Sequence, residues 1–379
     1  MVPRLPVTTG HWLRFAVERT MVHSFTDRET SFMATQQLVL VTGGSGFIAG
    51  HIILQLLEKG YAVRTTIRSL DKEQTVRDVL ADAGMIHGDA LSFVAADLLN
   101  DDGWPAAVAG VDSVMHVASP VQPGHVENED DLIIPARKGA LRVLRAAHAA
   151  GIKRVVLTSA FHAVSWGWPH DDHVFTEADW TILDGPGVDA YGKSKTLSER
   201  AAWDFVAGEG QGMELTTMLP VAVMGSVMGS DISGSNHIIQ NMLGGAMPGF
   251  PHIYIPIVDV RDVASAHILA METPEAAGER FLISSGPVMS LSEIGKTLKA
   301  ALGESAKGVP SRVIPNVAVK LAARSNPQLR GTIPDLDYQK QLTNEKARRV
   351  LGWTPRDAKD GIVSAGESMV RKGLISPAS

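Results

Sequence analysis

Cysteine is absent from the 379 residues of this chain. The protein therefore forms no disulfide, and it has no thiolate to act as a nucleophile or as a metal ligand. The sequence also lacks any apolar run of the roughly 18 residues that a membrane-spanning helix needs. Lysine and arginine form no basic block, and the net charge of -6 argues against a nucleic-acid partner. These absences favour a cytoplasmic protein that binds neither nucleic acid nor a membrane.

The overall composition is that of an ordinary globular protein, with 45% apolar and 20% charged residues. The length allows one large α/β domain and a smaller second one. Residues 1–35 precede that domain. Glu18, Asp27 and Glu29 are untypical of an acid-poor transit peptide, and the continuous apolar segment of a secretory signal is missing. We expect residues 1–35 to be a disordered N-terminal extension, with a targeting segment as the alternative; Met33, just before the first strand, resembles a natural start.

Short β-branched runs alternate with helical patterns from residue 37 onward, which is typical of a parallel sheet. The strands are predicted at 38–42, 62–67, 91–96, 113–117, 154–158, 214–219 and 281–284. The helices are predicted at 46–59, 130–150, 190–208, 291–302 and 344–351, and a strand followed by a helix is predicted within 258–264. The pattern predicts an α/β fold with a doubly wound parallel sheet.

Charge nearly disappears between Leu215 and Val258, where Asp231 is the only charged residue. Two compatible interpretations are buried structure beside the sheet, and the floor and lid of a mainly apolar substrate pocket. We predict that residues 36–219, joined by 258–285, form the dinucleotide-binding domain. Residues 220–257 and 286–379 are predicted to form a smaller, mostly helical C-terminal substrate-binding region.

A glycine-rich turn separates the first predicted strand from the first predicted helix. Gly43 permits the tight turn, Gly46 lets the backbone approach a pyrophosphate, and Ala49 lets the helix pack closely on the strand. The N-terminus of the helix supplies free N–H groups for the phosphates. This arrangement predicts a Rossmann-type site for a nicotinamide dinucleotide.

The second predicted strand indicates which dinucleotide is bound. NAD-selective sites place an acidic residue near the end of that strand, but no acidic residue occurs between Glu58 and Asp71. The strand is instead followed by Arg68, and a guanidinium binds a 2′-phosphate through charge-assisted hydrogen bonds. We therefore predict NADP(H) in preference to NAD(H), with Arg68 as the main contact and Arg64 or Lys72 as lesser candidates.

Two further strand ends border the predicted dinucleotide groove. Asp97 follows the third strand and is a candidate acceptor for the adenine amino group. Val117, Ala118 and Ser119 end the fourth strand and are expected to line the groove, because ligands collect at the carboxyl edge of such a sheet.

Tyr191 and Lys195 lie four residues apart, on one face of the helix predicted over 190–208. A free tyrosine has a pKa of about 10, which is too high for efficient proton transfer at neutral pH. We expect Lys195, together with a cationic oxidised nicotinamide, to lower the pKa of Tyr191. The pair then acts as a general acid and its support, whereas Lys193 points away and is a surface residue.

These motifs together resemble those of the extended short-chain dehydrogenases/reductases, in the NAD-dependent epimerase/dehydratase superfamily. The branch they are most similar to contains dihydroflavonol reductases, cinnamoyl-CoA reductases and the aldehyde and ketone reductases of fungi and bacteria. The resemblance covers about residues 37–360. It is carried by VTGGSGFI at 41–48, TTIR at 65–68, ADL at 96–98, HVASP at 116–120, LTS at 157–159, YGKSK at 191–195, LP at 219–220, VDVRD at 258–262 and LGWTP at 351–355.

The resemblance implies an NAD(P)-dependent oxidoreductase in which Tyr191 donates a proton to a carbonyl oxygen and Lys195 holds the nicotinamide ribose. It also implies that Pro220 and Val223 pack near the nicotinamide and its carboxamide, and that Ser235 contacts the cofactor phosphate. The further cofactor contacts that it implies are Ser45, Phe47, Ile48, Leu98 and Thr158. We expect no metal ion, and either a monomer or a homodimer.

The fifth strand departs from the family at its end. The family has Thr-Ser-Ser where this chain has Thr158-Ser159-Ala160, and the second serine of the family polarises the carbonyl. Ser159 is the catalytic candidate if the strand end is shifted or twisted, although neighbouring strand residues point to opposite faces. His162 and Ser165 are alternative donors, and a structural role for His162 also stays open.

The leading hypothesis is an NADPH-dependent reductase that transfers a hydride to the carbonyl of a small, largely apolar aldehyde or ketone. A nucleotide-sugar epimerase or dehydratase, or a hydroxysteroid-type dehydrogenase, has the same fold and the same Tyr/Lys pair. The nearly uncharged segment argues against a sugar-nucleotide diphosphate, and Arg68 argues against a tightly bound NAD. The alternative outside catalysis is an NADP-sensing regulator, which the presence of both Tyr191 and Lys195 argues against.

Overall fold

Seven parallel strands form the central sheet in a computed structural model of the chain, which describes residues 36–120, 126, 128–325 and 332–375, together with Met1. By their contacts, Met1–Gln36 and Gln37–Ser379 are separate units, and the elements described below belong to the second. The extension predicted over 1–35 lies, apart from Met1, outside the described residues.

The strands follow one another along the chain and are short, as expected for a sheet that is covered on both faces. They are β1 Leu38–Val41, β2 Ala62–Ile67, β3 Leu91–Ala95, β4 Ser113–His116, β5 Arg154–Thr158, β6 Val174–Phe175, β7 Glu214–Pro220, β8 Ala222–Met224, β9 Tyr254–Ile255, β10 Ile257–Asp259, β11 Arg280–Ile283, β12 Met289–Ser290 and β13 Gln341–Leu342. The predicted strands of the sheet are confirmed, each within one residue of its predicted ends.

The order of strands in the sheet is β3-β2-β1-β4-β5-β7-β11. Each neighbouring pair is parallel, and Val41 of β1 lies opposite Met115 of β4. The chain order reverses between β1 and β4, so the crevice beyond their carboxyl ends is the switch point where doubly wound sheets bind ligands. The predicted doubly wound sheet is confirmed.

Helices connect the strands and lie on both faces of the sheet. They are α1 Phe47–Glu58, α2 Glu73–Asp82, α3 Trp104–Val108, α4 Asp130–Ala149, α5 Ala190–Ala207, α6 Asn236–Leu243, α7 Val260–Glu272, α8 Leu291–Leu302, α9 Asn316–Ala322, α10 Glu345–Leu351 and α11 Ala358–Arg371. None of these described helices is both long and apolar enough to cross a membrane.

Two apolar cores hold these helices on the sheet. On one face, Ile52 and Ile53 of α1 and Val263 of α7 pack in one cluster with sheet residues. On the other face, Val143 of α4 and Ala202 of α5 pack in a second cluster. Since both faces are buried, function is confined to the edges of the sheet, and the carboxyl edge carries the loops that were predicted to bind the cofactor.

A third apolar cluster joins the two segments that were predicted to bind substrate. It brings Met242 of α6, Leu298 of α8 and Ile362 of α11 together. Residues Gln37–Ser379 nevertheless form one compact unit. The division into a dinucleotide-binding domain and a substrate-binding region therefore stays a prediction about function.

Candidate active site

The glycine turn between β1 and α1 has the backbone that its sequence requires. Gly43 has a φ of +76°, and a Cβ added to it would lie 2.9 Å from the Cβ of Ala118. The N–H of Gly43 donates to Thr66 Oγ1 at 3.0 Å, and the N–H of Gly44 donates to the Thr66 carbonyl at 2.9 Å. The turn is therefore fixed to β2 and packed against the loop after β4, where only glycine fits at position 43.

The N-terminus of α1 is open for an anion. No side chain caps it: Gly46 occupies the cap position, and Ser45 and Gly46 are both exposed. The N–H groups of the first turn, which include those of Phe47 and Ile48, have no intrahelical acceptor in an α-helix. The side chains of Phe47 and Ile48 are half-buried beside the turn. This open helix end fits the predicted phosphate contacts of residues 45–48.

Thr42 connects the glycine turn to the end of β4. Its Oγ1 accepts hydrogen bonds from the N–H groups of Val117 at 3.0 Å and Ala118 at 2.9 Å. Its own proton is left for Nδ1 of the buried His116, 2.9 Å away. Burial lowers the pKa of His116 to about 3, so that this imidazole is neutral and can accept. Thr42 thus places the predicted groove residues 117–119 beside the turn.

Arg68 and Arg64 have different surroundings at β2. Arg68 is exposed, with no ion-pair partner among the residues that the structure describes. Arg64 Nη1 donates to the carbonyls of Ala106, Ala107 and Ala109, at 3.2, 3.1 and 2.6 Å. Arg64 was therefore wrong as a lesser candidate for the 2′-phosphate, because its guanidinium is occupied at the end of α3. Lys72 is exposed.

Asp97 and Leu98 follow β3 at the adenine side of the predicted groove. Asp97 is half-buried, and its Oδ1 accepts from the N–H of Leu99 at 2.9 Å. Leu98 is half-buried against α4, where a Cβ added to Gly139 would lie 3.1 Å from the Cβ of Leu98. Their predicted cofactor contacts stay predictions.

Tyr191 and Lys195 come from the first turns of α5 and meet the end of β4. The helix begins at Ala190, where the Asp189 side chain accepts from the N–H of Gly192 at 2.8 Å. The Nζ of Lys195 lies 5.8 Å from the centre of the Tyr191 ring and donates to Ser119 Oγ at 3.2 Å. Residues far apart in sequence are thus joined at the predicted switch point.

The pKa values of this pair differ from the sequence-based expectation. Burial, with a smaller contribution from Asp189, raises the pKa of Tyr191 to about 12. Burial lowers the pKa of Lys195 to about 8, and Glu199 partly opposes this. Without the oxidised nicotinamide that the expectation included, burial raises the pKa of Tyr191 where the sequence predicted a lowering. At neutral pH the phenol holds its proton.

Ser159 is part of a buried polar network, which corrects its predicted catalytic role. Its Oγ donates to Glu199 Oε2 at 2.6 Å. Glu199 also accepts from Thr217 Oγ1 at 2.8 Å and from Arg280 Nε at 2.7 Å. Because its hydroxyl proton is committed to a buried carboxylate, Ser159 has none to offer to a substrate carbonyl.

Two other candidates, Thr158 and Ser165, lie at or after the end of β5. The hydroxyl of Thr158 is hydrogen-bonded to His267 Nε2 on α7 at 2.7 Å. It is therefore already paired and not free for the predicted contact with the cofactor. Ser165 is buried, and its Oγ donates to the Phe161 carbonyl at 3.4 Å, which argues against it as an alternative donor. Ala160 is buried as well.

His162 lies against Tyr191, in the short turn Phe161–Ala163 that follows β5. The ring centres of His162 and Tyr191 are 4.8 Å apart at an interplanar angle of 79°. On its other side, the imidazole stacks on Trp166 at 3.7 Å and 16°, and Lys340 Nζ lies 3.7 Å from the centre of the Trp166 ring. The sequence pointed to His162 only as an alternative, because its stacking partners cannot be read from spacing.

The remaining predicted cofactor contacts lie at the end of β7 and in the segment that follows it. Pro220 ends β7 and is buried, Val223 in β8 is half-buried, and Ser235 is half-buried just before α6. Among the described residues, no group of histidine, aspartate and glutamate side chains could hold a metal ion.

Known proteins resemble this chain over most of its length. The model of the NAD-dependent epimerase/dehydratase family matches residues 39–284. A ketoreductase of Aspergillus niger is 34% identical over 352 residues, covering 88% of this chain and 98% of that protein. An anthocyanidin reductase of Vitis vinifera is 34% identical over 286 residues, covering 70% and 82%. Yeast methylglyoxal/isovaleraldehyde reductase Gre2, solved with NADPH, is 25% identical with a TM-score of 0.72, covering 89% of this chain and 100% of that one.

Proposed function

This chain belongs to the NAD-dependent epimerase/dehydratase family, and we propose that it is an NADPH-dependent reductase of small, largely apolar aldehydes or ketones. Its relatives are oxidoreductases that include a ketoreductase and an NADPH-bound aldehyde reductase. The single observation that carries the proposal is the position of Lys195, whose Nζ lies 5.8 Å from the Tyr191 ring and 3.2 Å from Ser119 Oγ beside the glycine turn.

The residues of the groove fit NADP(H). Gly43 lets the turn pack against Ala118 where a Cβ would clash, the N-terminus of α1 has no side-chain cap, and Arg68 is exposed for a 2′-phosphate. When bound, the reduced nicotinamide supplies the hydride. Lys195 is placed to hold a ribose hydroxyl through the same Nζ that reaches Ser119.

Tyr191 is in the protonation state that a proton donor needs. The phenol is neutral at pH 7 and holds the proton that the carbonyl oxygen needs as the carbon receives the hydride. Burial raises its pKa to about 12, which makes it a weak acid, so the transfer depends on stabilising the phenolate. The Lys195 ammonium beside the ring then stabilises the phenolate that remains. In this proposal Tyr191 is the acid, and Lys195 is the charge that supports it.

The substrate class follows from the walls of the site. The segment between Leu215 and Val258 carries Asp231 as its only charge, and the His162 ring, itself stacked on Trp166, contacts Tyr191. Such walls favour an apolar body attached to the reacting carbonyl. They disfavour a sugar nucleotide, whose diphosphate needs cationic partners, so the epimerase alternative has less support.

The proposal is tested by following the oxidation of NADPH and of NADH in the presence of aldehydes, ketoesters and aryl ketones. Tyr191→Phe should lower kcat by roughly 10²–10⁴-fold, the contribution of a positioned general acid, without changing NADPH affinity. Tyr61→Phe is the matched control, since its hydroxyl bonds Glu272 at 2.9 Å on the outside of the fold. Equal turnover by Tyr191→Phe, or no carbonyl substrate in the panel, would contradict the proposal.

A further inference from the structure

We infer that His162 is a second catalytic residue, whose imidazole N–H donates a hydrogen bond to the substrate carbonyl oxygen alongside the Tyr191 phenol. The inference rests on the reductase function proposed above. It assigns to His162 the polarising role that a serine hydroxyl has in the related reductases, at a site where this chain has Ala160 instead.

The first support is the position of the imidazole. Its ring centre lies 4.8 Å from that of Tyr191, nearly perpendicular to it, so the edge of one ring touches the other. Because the two rings are in contact, we place the carbonyl oxygen that accepts from the phenol, at the usual distance of about 2.7 Å, within reach of the imidazole. The turn Phe161–Ala163 holds His162 there, because the His162 carbonyl accepts from Thr181 Oγ1 at 2.7 Å.

The second support is that the ring nitrogens of His162 are not used elsewhere. Neither nitrogen has a hydrogen-bond partner among the residues that the structure describes, although the side chain is mostly enclosed. Three buried histidines differ in this respect: His51 bonds the Ser226 carbonyl, His116 bonds Thr42, and His267 bonds both Thr158 and the Val263 carbonyl. Unlike those three, the half-buried His162 has ring nitrogens that remain available to a ligand.

The third support is the environment of the ring, which keeps the imidazole neutral and leaves it one N–H. Burial is the main cause that lowers the pKa of His162 to about 3, and Lys340 and Lys195 contribute. The Lys340 ammonium lies over the Trp166 ring and the Lys195 ammonium near the Tyr191 ring. A neutral imidazole has one N–H and one acceptor nitrogen throughout the physiological pH range.

The fourth support is that the hydroxyls of the other candidates near β5 already have hydrogen-bond partners. Ser159 donates to Glu199, Ser165 donates to the Phe161 carbonyl, and Thr158 is paired with His267. Ala160 has no donor. His162 is therefore the side chain beside Tyr191 that has an N–H to give, and its stacking on Trp166 at 3.7 Å fixes the ring before substrate binds, which is what makes such a donor effective.

The test separates a hydrogen-bond donor from a packing residue. His162→Phe keeps a ring on Trp166 and removes the N–H, and we expect kcat/KM to fall roughly 10²–10³-fold, the usual loss for one donor to a developing oxyanion. His162→Gln retains an N–H and should recover part of that loss, as should Ala160→Ser added to His162→Phe. His173→Phe is the matched control, because His173 stacks on Trp168 at 4.8 Å in the same loop without contacting Tyr191.

Three readouts are needed for each variant: kcat/KM, NADPH affinity by fluorescence titration, and thermal unfolding. Support for the inference is a folded His162→Phe that binds NADPH normally and is slow, with recovery in either rescue variant. Wild-type kcat/KM in His162→Phe, or a slow enzyme that neither Gln nor the added serine improves, would overturn it while leaving the proposed function intact. A wild-type protein that binds NADPH and reduces no carbonyl would instead overturn the proposed function together with this inference.

Discussion

Neutralising Glu199 should destabilise the fold far more than neutralising a surface carboxylate. The Glu199 side chain is fully buried and receives hydrogen bonds from Ser159, Thr217 and Arg280, at 2.6, 2.8 and 2.7 Å. Arg280 is itself 9% exposed and lies 3.7 Å over the ring of Trp180. In Glu199→Gln the guanidinium stays buried without its counter-charge, although the side-chain volume hardly changes.

The magnitude follows from what is left behind. Removing one partner of a buried ion pair costs about 3–5 kcal/mol, because the remaining charge is desolvated and unpaired. The amide keeps one acceptor oxygen, so we expect a loss of about 3 kcal/mol, the lower end of that range. Replacing both partners, in Glu199→Leu with Arg280→Met, should recover much of the loss, since a buried pair contributes little over an apolar substitute.

Urea unfolding followed by circular dichroism measures these free energies. The control is Glu272→Gln, which breaks the ion pair with Lys59, at 2.7 Å and with 46% and 29% of the two side chains exposed. A surface pair of this kind contributes about 1 kcal/mol or less. If Glu199→Gln costs no more than Glu272→Gln, the reasoning about a buried, desolvated network is refuted.

Three further outcomes follow from the same structure. Arg68→Asp should weaken NADPH binding roughly 10–100-fold, equivalent to about 1.5–3 kcal/mol for a charged hydrogen bond, and leave NADH binding nearly unchanged; an unaltered preference for NADPH in a fluorescence titration would remove the 2′-phosphate contact. Stability should fall between about pH 6.5 and pH 4, because an unfolded histidine has a pKa of about 6.5, whereas the buried ones have lower values and stay neutral in the fold. These are His51 and His267, with pKa lowered to about 4, and His116 and His162, with pKa lowered to about 3. In this pH range the unfolded chain binds more protons than the fold, and each histidine contributes up to about 1.4 kcal/mol of unfolding free energy per pH unit. His267→Gln should reduce the slope of unfolding free energy against pH by about one proton. A slope unchanged by that variant would speak against a buried neutral His267. Carbonyl reduction should decline as the pH rises through about 8, where Lys195 loses its charge, and the decline should be absent from Lys195→Arg if that variant stays active; a pH profile of kcat/KM without a limb near that pH would show that the ammonium is not required.

The strands and most long helices could be predicted because local sequence decides them. A β-branched run such as Leu38–Val41 or Arg154–Thr158 fits a strand buried on both faces wherever it occurs. Helix α11 was missed, since Gly361 and Gly366 lower helix propensity within it. Packing overrides that propensity: a Cβ added to Gly366 would lie 2.7 Å from the Cδ1 of Leu302, so the glycine allows α11 to approach α8 closely.

The site divides in the same way between what spacing determines and what packing determines. Tyr191 and Lys195 share a helix face by their spacing, and Gly43 is needed by its turn, so both were within reach of the sequence. The partner of Ser159 could not be predicted from the sequence. Glu199 and Arg280 come from other elements, and only the folded chain brings them next to Ser159 and to each other.

The direction of the Tyr191 pKa was wrong for a related physical reason. A motif reveals the neighbouring Lys195 charge but not the depth at which both groups are buried, and here burial raises the pKa of one to about 12 and lowers that of the other to about 8. Burial likewise keeps His162 uncharged. In the proposed site, the groups beside the carbonyl would therefore be a neutral phenol and a neutral imidazole, with the Lys195 ammonium 5.8 Å from the centre of the phenol ring. A neutral phenol holds the proton that reduction of a carbonyl requires, and this is the protonation state on which the proposed reductase function depends.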